Sequence, residues 1–310
     1  MFRGQISVYF RLVGFPNILN FSVNKETSKF PPIALVLVAV LLWSTGGLFI
    51  KLSTLDAYQV TFFRSLLAAI TVAALTYKKG LKINGFGVLT SIIYAALLFL
   101  FVWATKKTTA ANAIFLQYTA PIYILILAPF VLKEKFRAAD LLTVICCIGG
   151  MSLFFVGQLR IDDYQGNIAA LGSGIFLGLY ILLLKHPKAE TMNRVIAVIY
   201  GNLLLAIFNL PAGISALSTI TITDILAVSF LGIIQIGISY ILFIKGVADG
   251  TRPLDASIIG FIEPILNPVW VFLFIGEQPS KWALLGGLII LMTVAAHTFL
   301  NSMVKNKELV

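Results

Sequence analysis

Two ionisable residues, Arg64 and Glu263, lie inside long apolar stretches of the sequence. A charged side chain at the centre of a membrane helix costs about 2.5–3.5 kcal/mol, so such residues usually face a cavity or a partner. At about 1.5 Å of rise per residue, the two fall at a similar depth in the hydrocarbon layer. We expect both to face one central cavity, where they either pair directly or flank a zwitterionic or polar substrate. The structural alternative is a buried ion pair, or an arginine that caps carbonyls freed by a proline.

Other polar side chains are expected at the same depth. They complete a predicted substrate-binding set that comprises Arg64, Glu263, Trp43, Gln117, Tyr118, Asn202, Gln235 and Asn267. Glu263 and Asn267 are four residues apart and therefore share one helix face. Gln117, on the matching helix of the first half, supplies the opposite wall. Each of these side chains could instead form a bond between helices, which is typically worth only about 0.6 kcal/mol in membranes. As a set they indicate a polar lining.

The composition requires that these residues be positioned by membrane helices. Of 310 residues, 59% are hydrophobic and 12% are charged, whereas about a quarter are charged in soluble domains. A helix needs about 20 apolar residues to cross the bilayer. Ten stretches qualify: 33–52, 57–77, 87–105, 109–132, 139–156, 166–184, 194–213, 224–245, 253–275 and 282–300. The sequence therefore predicts an all-α membrane protein with ten transmembrane helices.

The basic residues predict an orientation for these helices. The net charge of +10 could attract nucleic acid, but the charges fall in short clusters between the apolar stretches. Of the 23 Lys and Arg residues, 17 lie on the side of the N-terminus, 5 lie on the other side, and Arg64 lies within a stretch. Positively charged connections stay in the cytoplasm, so both termini are predicted to be cytoplasmic. Nucleic acid is not an expected partner.

An internal repeat relates the two halves of the chain. With an offset of 143 residues, the fourth stretch aligns with the ninth, and the matches are Thr108 with Thr251, Ala113 with Ala256, Pro121 with Pro264 and Glu134 with Glu277. A five-helix unit has an odd number of crossings, so its second copy is inverted. Inverted repeats place substrate sites near the membrane midplane and expose them alternately. The two prolines each remove a backbone hydrogen bond, and either a packing kink or a gating hinge is consistent with them.

The sequence has no pattern that would support an enzyme. Cys146 and Cys147 are adjacent, and His186 and His297 are far apart, so neither a disulfide nor a metal site is predicted. Nucleophile motifs and the ATP-binding Gly-x-x-x-x-Gly-Lys motif are absent. Without a cofactor or ATP, energy would come from solute or ion gradients, and a coupling proton is left open. An intramembrane enzyme, a channel and a non-transporting scaffold are the rival interpretations.

Short motifs resemble the drug/metabolite transporter superfamily, in particular its EamA-like family. They are Trp43-Ser44 with Gly46-Gly47, Phe62-Phe63-Arg64, Tyr118-x-x-Pro121 with Glu134, and Glu263-Pro264 with Gly276-Glu277. Lys133 precedes Glu134 at a position where the family usually has glycine.

The resemblance implies a cytoplasmic tail at 1–31, a first repeat at 32–157, an inverted repeat at 166–301 and a tail at 302–310. It also implies a multi-pass carrier, because members handle amino acids, related metabolites, sugars or toxic cations, mostly as exporters. For this chain we expect an amino acid or a related small solute, outward transport and the plasma membrane. The oligomeric state is left open.

Overall fold

The computed structural model describes residues 30–108, 110–135, 137–154, 156, 163–275 and 281–307, and these ranges contain helices and no strand. The predicted N-terminal tail lies largely outside them, whereas residues 302–307 of the predicted C-terminal tail continue the last described helix, Lys281–Lys307. We call 30–156 the first half and 163–307 the second half.

The first half contains seven α-helices in the described ranges: α1 Pro32–Trp43, α2 Gly46–Leu52, α3 Ala57–Thr76, α4 Gly85–Lys107, α5 Ala110–Gln117, α6 Ala120–Val131 and α7 Ala138–Phe154. The second half contains α8 Tyr164–Lys185, α9 Ile196–Phe208, α10 Leu210–Ala216, α11 Ile222–Ser229, α12 Ser239–Ala248, α13 Pro253–Gly260, α14 Ile262–Ile275 and α15 Lys281–Lys307. A π-helical segment, Phe230–Ile238, joins α11 to α12.

Several of these helices can cross a membrane. Six helical stretches of the described chain are long and apolar enough, and a seventh qualifies if α9 and α10, bent by 65°, form one span. The count is below the predicted ten because 253–275 is divided at Phe261 and because two other apolar helices are shorter, at Ala138–Leu153 and Leu284–Leu300. Many large apolar side chains are exposed, as lipid contact requires, for example Phe208 and Leu226. The protein is an integral, multi-pass membrane protein.

Local sequence determines where the helix that carries Arg64 begins. Asp56 precedes α3 and accepts hydrogen bonds from the backbone N–H groups of Tyr58 and Gln59, while the Gln59 side chain accepts one from the Asp56 N–H. This reciprocal cap satisfies donors that a helix start leaves unpaired. It fixes the start of α3, so that Arg64 lies two turns into the helix.

The halves pack against each other along their length. Helix α4 packs on α8 and α9, α1 packs on α12, α3 packs on α9 and the π-helical segment, and α7 packs on α15. Close approaches occur at glycines: a Cβ atom at Gly174 would lie 2.8 Å from the carbonyl oxygen of Gln117. Large side chains, among them Tyr94, Tyr180 and Phe243, fill the interior.

Candidate functional site

A central cavity lies between the two halves. The space between its walls, counted together with the part that is open to the outside, is about 760 Å³, and the walls come from α1–α5, α8, the π-helical segment, α12 and α14. Six of the eight predicted site residues line it: Trp43, Arg64, Gln117, Tyr118, Gln235 and Glu263. Asn202 is not among the lining residues, and the side chain of Asn267 lies outside the part of the chain that the structure describes.

Glu263 is held by a tyrosine from the other half. The hydroxyl of Tyr118 donates a hydrogen bond to Oε2 of Glu263 over 2.6 Å. Tyr118 stands at the break between α5 and α6, and Glu263 is the second residue of α14. A hydrogen bond to an ionised carboxylate is shorter and stronger than a neutral one. The bond fixes the position of the Glu263 carboxylate at the cavity wall.

Arg64 is buried but has unused donors. Arg64 is 2% exposed, and its Nε and Nη2 atoms have no hydrogen-bond partner in the described chain. No ion pair joins it to Glu263 among these residues, so the direct pairing that the sequence left open does not occur in this conformation. Buried polar groups are normally paired. The guanidinium is therefore available for a negatively charged ligand.

Gln235 and Trp43 form a second polar wall. The amide nitrogen of Gln235 lies 3.5 Å from the Trp43 carbonyl oxygen, while its Oε1 and the Trp43 indole nitrogen have no partner in the described chain. A Cβ atom at Gly46 would lie 2.8 Å from Nε2 of Gln235, so glycine leaves room for that side chain. The π-helical segment that carries Gln235 has a geometry often found at functional sites.

Gln117 and Asn202 are both engaged with neighbouring helices. The amide of Gln117 donates to Ser173 Oγ over 2.7 Å, and Ser173 in turn donates to the Leu97 carbonyl over 3.0 Å. Asn202 donates to the hydroxyl of Tyr94 over 3.3 Å, and neither residue is among those that line the cavity. Interhelical hydrogen bonding, the alternative role considered for these residues, describes Asn202 better than direct contact with a solute.

Sequence reasoning missed Tyr240. It lines the cavity and interacts electrostatically with both Arg64 and Glu263. Its ring packs against the Trp43 ring at 4.8 Å between centroids. A tyrosine within an apolar stretch has the same appearance in sequence as a core aromatic residue, so only the fold could single it out.

The two prolines follow matching helix breaks. The α5–α6 break at Tyr118 and Thr119 precedes Pro121, and the α13–α14 break at Phe261 precedes Pro264. Tyr118 and Phe261 are themselves 143 residues apart, which is the offset of the sequence repeat. A hinge role for the two prolines stays a prediction.

Charged and polar groups that converge on a cavity within membrane helices are typical of solute-translocating proteins. The class is that of a multi-pass membrane transporter. The sequence pattern of the EamA-like transporter family matches residues 30–156 and 164–299, so each half carries one copy. The chain belongs to the EamA-like transporter family, a family of transporters rather than enzymes.

Similar proteins come from distant organisms. An uncharacterized transporter of Clostridium kluyveri is 25% identical over 285 residues, covering 83% of this chain and 89% of that protein. An uncharacterized transporter of Archaeoglobus fulgidus is 25% identical over 284 residues, covering 85% and 96%. Human solute carrier family 35 member G1 is 22% identical over 291 residues, covering 86% and 79%.

The fold itself is also found in a solved structure. A crystal structure with 18% sequence identity superposes with a TM-score of 0.75 and covers 87% of this chain and 97% of its own. At that identity the likeness concerns the fold alone.

Proposed function

We propose that this protein is a secondary-active transporter that exports a small polar metabolite, an amino acid or a related solute, across the plasma membrane by alternating access. The observation that carries the proposal is that the Arg64 guanidinium and the Glu263 carboxylate line one cavity, and that no ion pair neutralises either of them among the described residues. Such groups are costly in a membrane unless a ligand or a partner compensates them. A solute with both charges would compensate the two together.

The cavity offers complementary contacts for such a solute. Its carboxylate would accept hydrogen bonds from Arg64, which can bind two oxygens at once, and from the Trp43 indole N–H. Its ammonium group would approach Glu263 and Oε1 of Gln235. Neither the indole N–H nor this Oε1 has a partner among the described residues. Aromatic faces at Trp43 and Tyr240 would cover its apolar part.

The transport cycle would use two inverted five-helix repeats, which give ten crossings with both termini in the cytoplasm. Helix packing supports this arrangement. In the repeat, α1, α3, α4 and α7 of the first half are equivalent to α8, α9, the π-helical segment with α12, and α15 of the second half. Exchanging the halves therefore turns the α4–α8 contact into the α12–α1 contact, and the α9–α4 contact into that of α3 with the π-helical segment. The α3–α9 and α7–α15 contacts each map onto themselves. The matching helix breaks support it independently. Inverted repeats allow a cavity to face either side in turn.

Ion coupling belongs to the same proposal. Because the chain lacks an ATP-binding motif, the free energy would come from a gradient. Glu263 is the carboxylate on the cavity wall and would bind the coupling proton. A flux that does not change with pH would count against this assignment.

The first experiment identifies the solute. Purified protein is heated with amino acids, nucleosides, sugars and organic cations, because a ligand that binds only the folded state raises the melting temperature. The hit is then tested for saturable counterflow in proteoliposomes, which neither a channel nor an enzyme would give. Arg64→Ala and Glu263→Gln should each abolish counterflow. If both variants reach the membrane and transport normally, the proposed site is wrong.

A further inference from the structure

Among the described residues, the lining of the cavity reaches one end of the helix bundle. Its lining includes Ile50 and Thr105, close to the ends of α2 and α4, whereas none of the eight residues of α13 contributes to it in the described chain. Seven of those eight are buried, among them Ala256 and Ile258. Helix α13 therefore fills the space between the cavity and the opposite end.

Helices α5 and α13 are equivalent elements in opposite positions. Ala110–Gln117 and Pro253–Gly260 are both eight residues long and are related by the repeat offset of 143. In the first half, Ile114 and Gln117 of α5 line the cavity. In the second half, α13 packs against α1, α6, α7, α8 and α15 and closes its end. In this conformation α5 therefore borders the open cavity, whereas its equivalent α13 closes the opposite end.

An arginine at the start of α13 ties it to the first half. Nη2 of Arg252 donates to Oδ2 of the buried Asp140 over 2.7 Å. Its Nε lies 3.8 Å from Oε2 of Glu134, and its Nη1 lies 3.7 Å from Oδ1 of Asp255. Asp140 and Glu134 belong to the first half, so this charged cluster joins the two halves at the closed end.

The cluster extends through a buried histidine. Nε2 of His297 lies 2.9 Å from Oδ1 of Asp255, and its Nδ1 lies 3.1 Å from Oγ1 of Thr143. Burial alone would lower the pKa of Arg252, but the hydrogen bond with Asp140 and the charges of Asp255 and Glu134 outweigh it, and this pKa is raised. Arg252 therefore carries its charge throughout the accessible pH range.

The repeat carries this arginine in one copy only. The position equivalent to Arg252 in the first half is Thr109. We call α5 and α13 the two gates. They are chemically unequal, because Arg252 stands at the start of α13 whereas Thr109 precedes α5 in the sequence.

We propose that the Arg252–Asp140–Glu134 cluster is a latch that holds α13 closed, and that its release lets α13 uncover the cavity at that end. The inference rests on the proposed alternating access, to which it adds the device that keeps one gate shut. The unequal gates bias the empty protein towards the conformation described here.

The test measures the accessibility of α13 directly. Ser257, which is buried on α13, is changed to Cys as a reporter in a Cys146→Ala, Cys147→Ala background. A membrane-impermeant methanethiosulfonate is added from the Arg252 side of oriented vesicles, and the labelling rate is recorded. Arg252→Gln should raise this rate about tenfold, the effect expected from about 1.4 kcal/mol. Asp140→Asn should raise it comparably, and the double variant should add little because both remove the same bond.

Arg194→Gln is the matched control. Arg194 pairs with Glu190 over 3.5 Å within the second half. Lys185 interacts electrostatically with both Arg194 and Glu134, so the Arg194–Glu190 pair lies near the end of the bundle that holds the latch. This variant removes one positive charge without touching the link between the halves, and its labelling rate should equal that of the parent.

Equal labelling in Arg252→Gln and Arg194→Gln would overturn the latch, whether or not counterflow is present. If Arg252→Gln does not fold, Asp140→Asn tests the same bond, and Arg252→Lys should restore slow labelling. Faster labelling in a protein that shows no counterflow with any solute would leave the latch standing and overturn the proposed function.

Discussion

Replacing Arg64 with methionine tests whether this arginine serves the structure or the solute. Methionine keeps a long flexible side chain and removes the charge. A structural arginine stabilises the protein through its partners, so removing it costs stability. The Arg64 guanidinium instead has two nitrogens without a partner in the described chain, so its removal should relieve an unfavourable burial.

The magnitude follows from that burial. A charge at mid-membrane costs about 2.5–3.5 kcal/mol, and water in the cavity reduces this cost. We expect Arg64→Met to stabilise the empty protein against unfolding in mixed micelles by about 1–3 kcal/mol while it abolishes solute binding. The opposite is expected of Arg252→Met, which would lose about 1.5–3 kcal/mol because Asp140 loses a charged hydrogen bond.

Equilibrium unfolding, followed together with the thermal shift that the identified solute induces, checks both halves of this prediction. A destabilised Arg64→Met variant that still binds and transports the solute would refute the reasoning, because Arg64 would then be a structural residue with partners elsewhere.

Two other predictions use matched pairs of substitutions. Tyr118→Phe should reduce transport about tenfold or more, because Glu263 loses a charged hydrogen bond; Tyr180→Phe should transport like the parent because its hydroxyl is unpartnered in the described chain. Counterflow rates decide between these outcomes, and equal loss in both would argue against the role of the Tyr118 bond. Gly174→Leu should destabilise the protein by about 1–3 kcal/mol through overpacking against α5, whereas Gly149→Leu, with open space at its Cβ position, should change the melting temperature little. Similar melting temperatures for the two variants would contradict the close contact.

Much of the helix layout could be predicted because apolar stretches between charged connections are read directly from composition. The predicted stretch 253–275 nevertheless contains a break at Phe261. Proline occurs both in kinked helices and after helix ends, so Pro264 does not by itself reveal a break at Phe261. Both α13 and α14 pack against α1, and such contacts between distant segments cannot be derived from the local sequence.

The cavity could be predicted in part for a similar reason. Arg64 and Glu263 stand out in sequence because ionisable residues are rare in membrane helices. Asn202 is a neutral polar residue at a similar predicted depth, but its amide donates to the hydroxyl of Tyr94. The direction of its side chain depends on the rotation of the helix. The Arg252 latch also escaped sequence reasoning, because its partner Asp140 lies 112 positions away in the chain.

The tie between Trp270 and Ser44 gives this protein a built-in optical reporter. The indole N–H of Trp270, on α14, donates to Ser44 Oγ over 2.9 Å at the break between α1 and α2. Rocking of one half against the other would lengthen this contact and change the polarity around the ring. Trp270 is one of four tryptophans, and its share of the fluorescence emission would therefore change with the conformation without any attached dye.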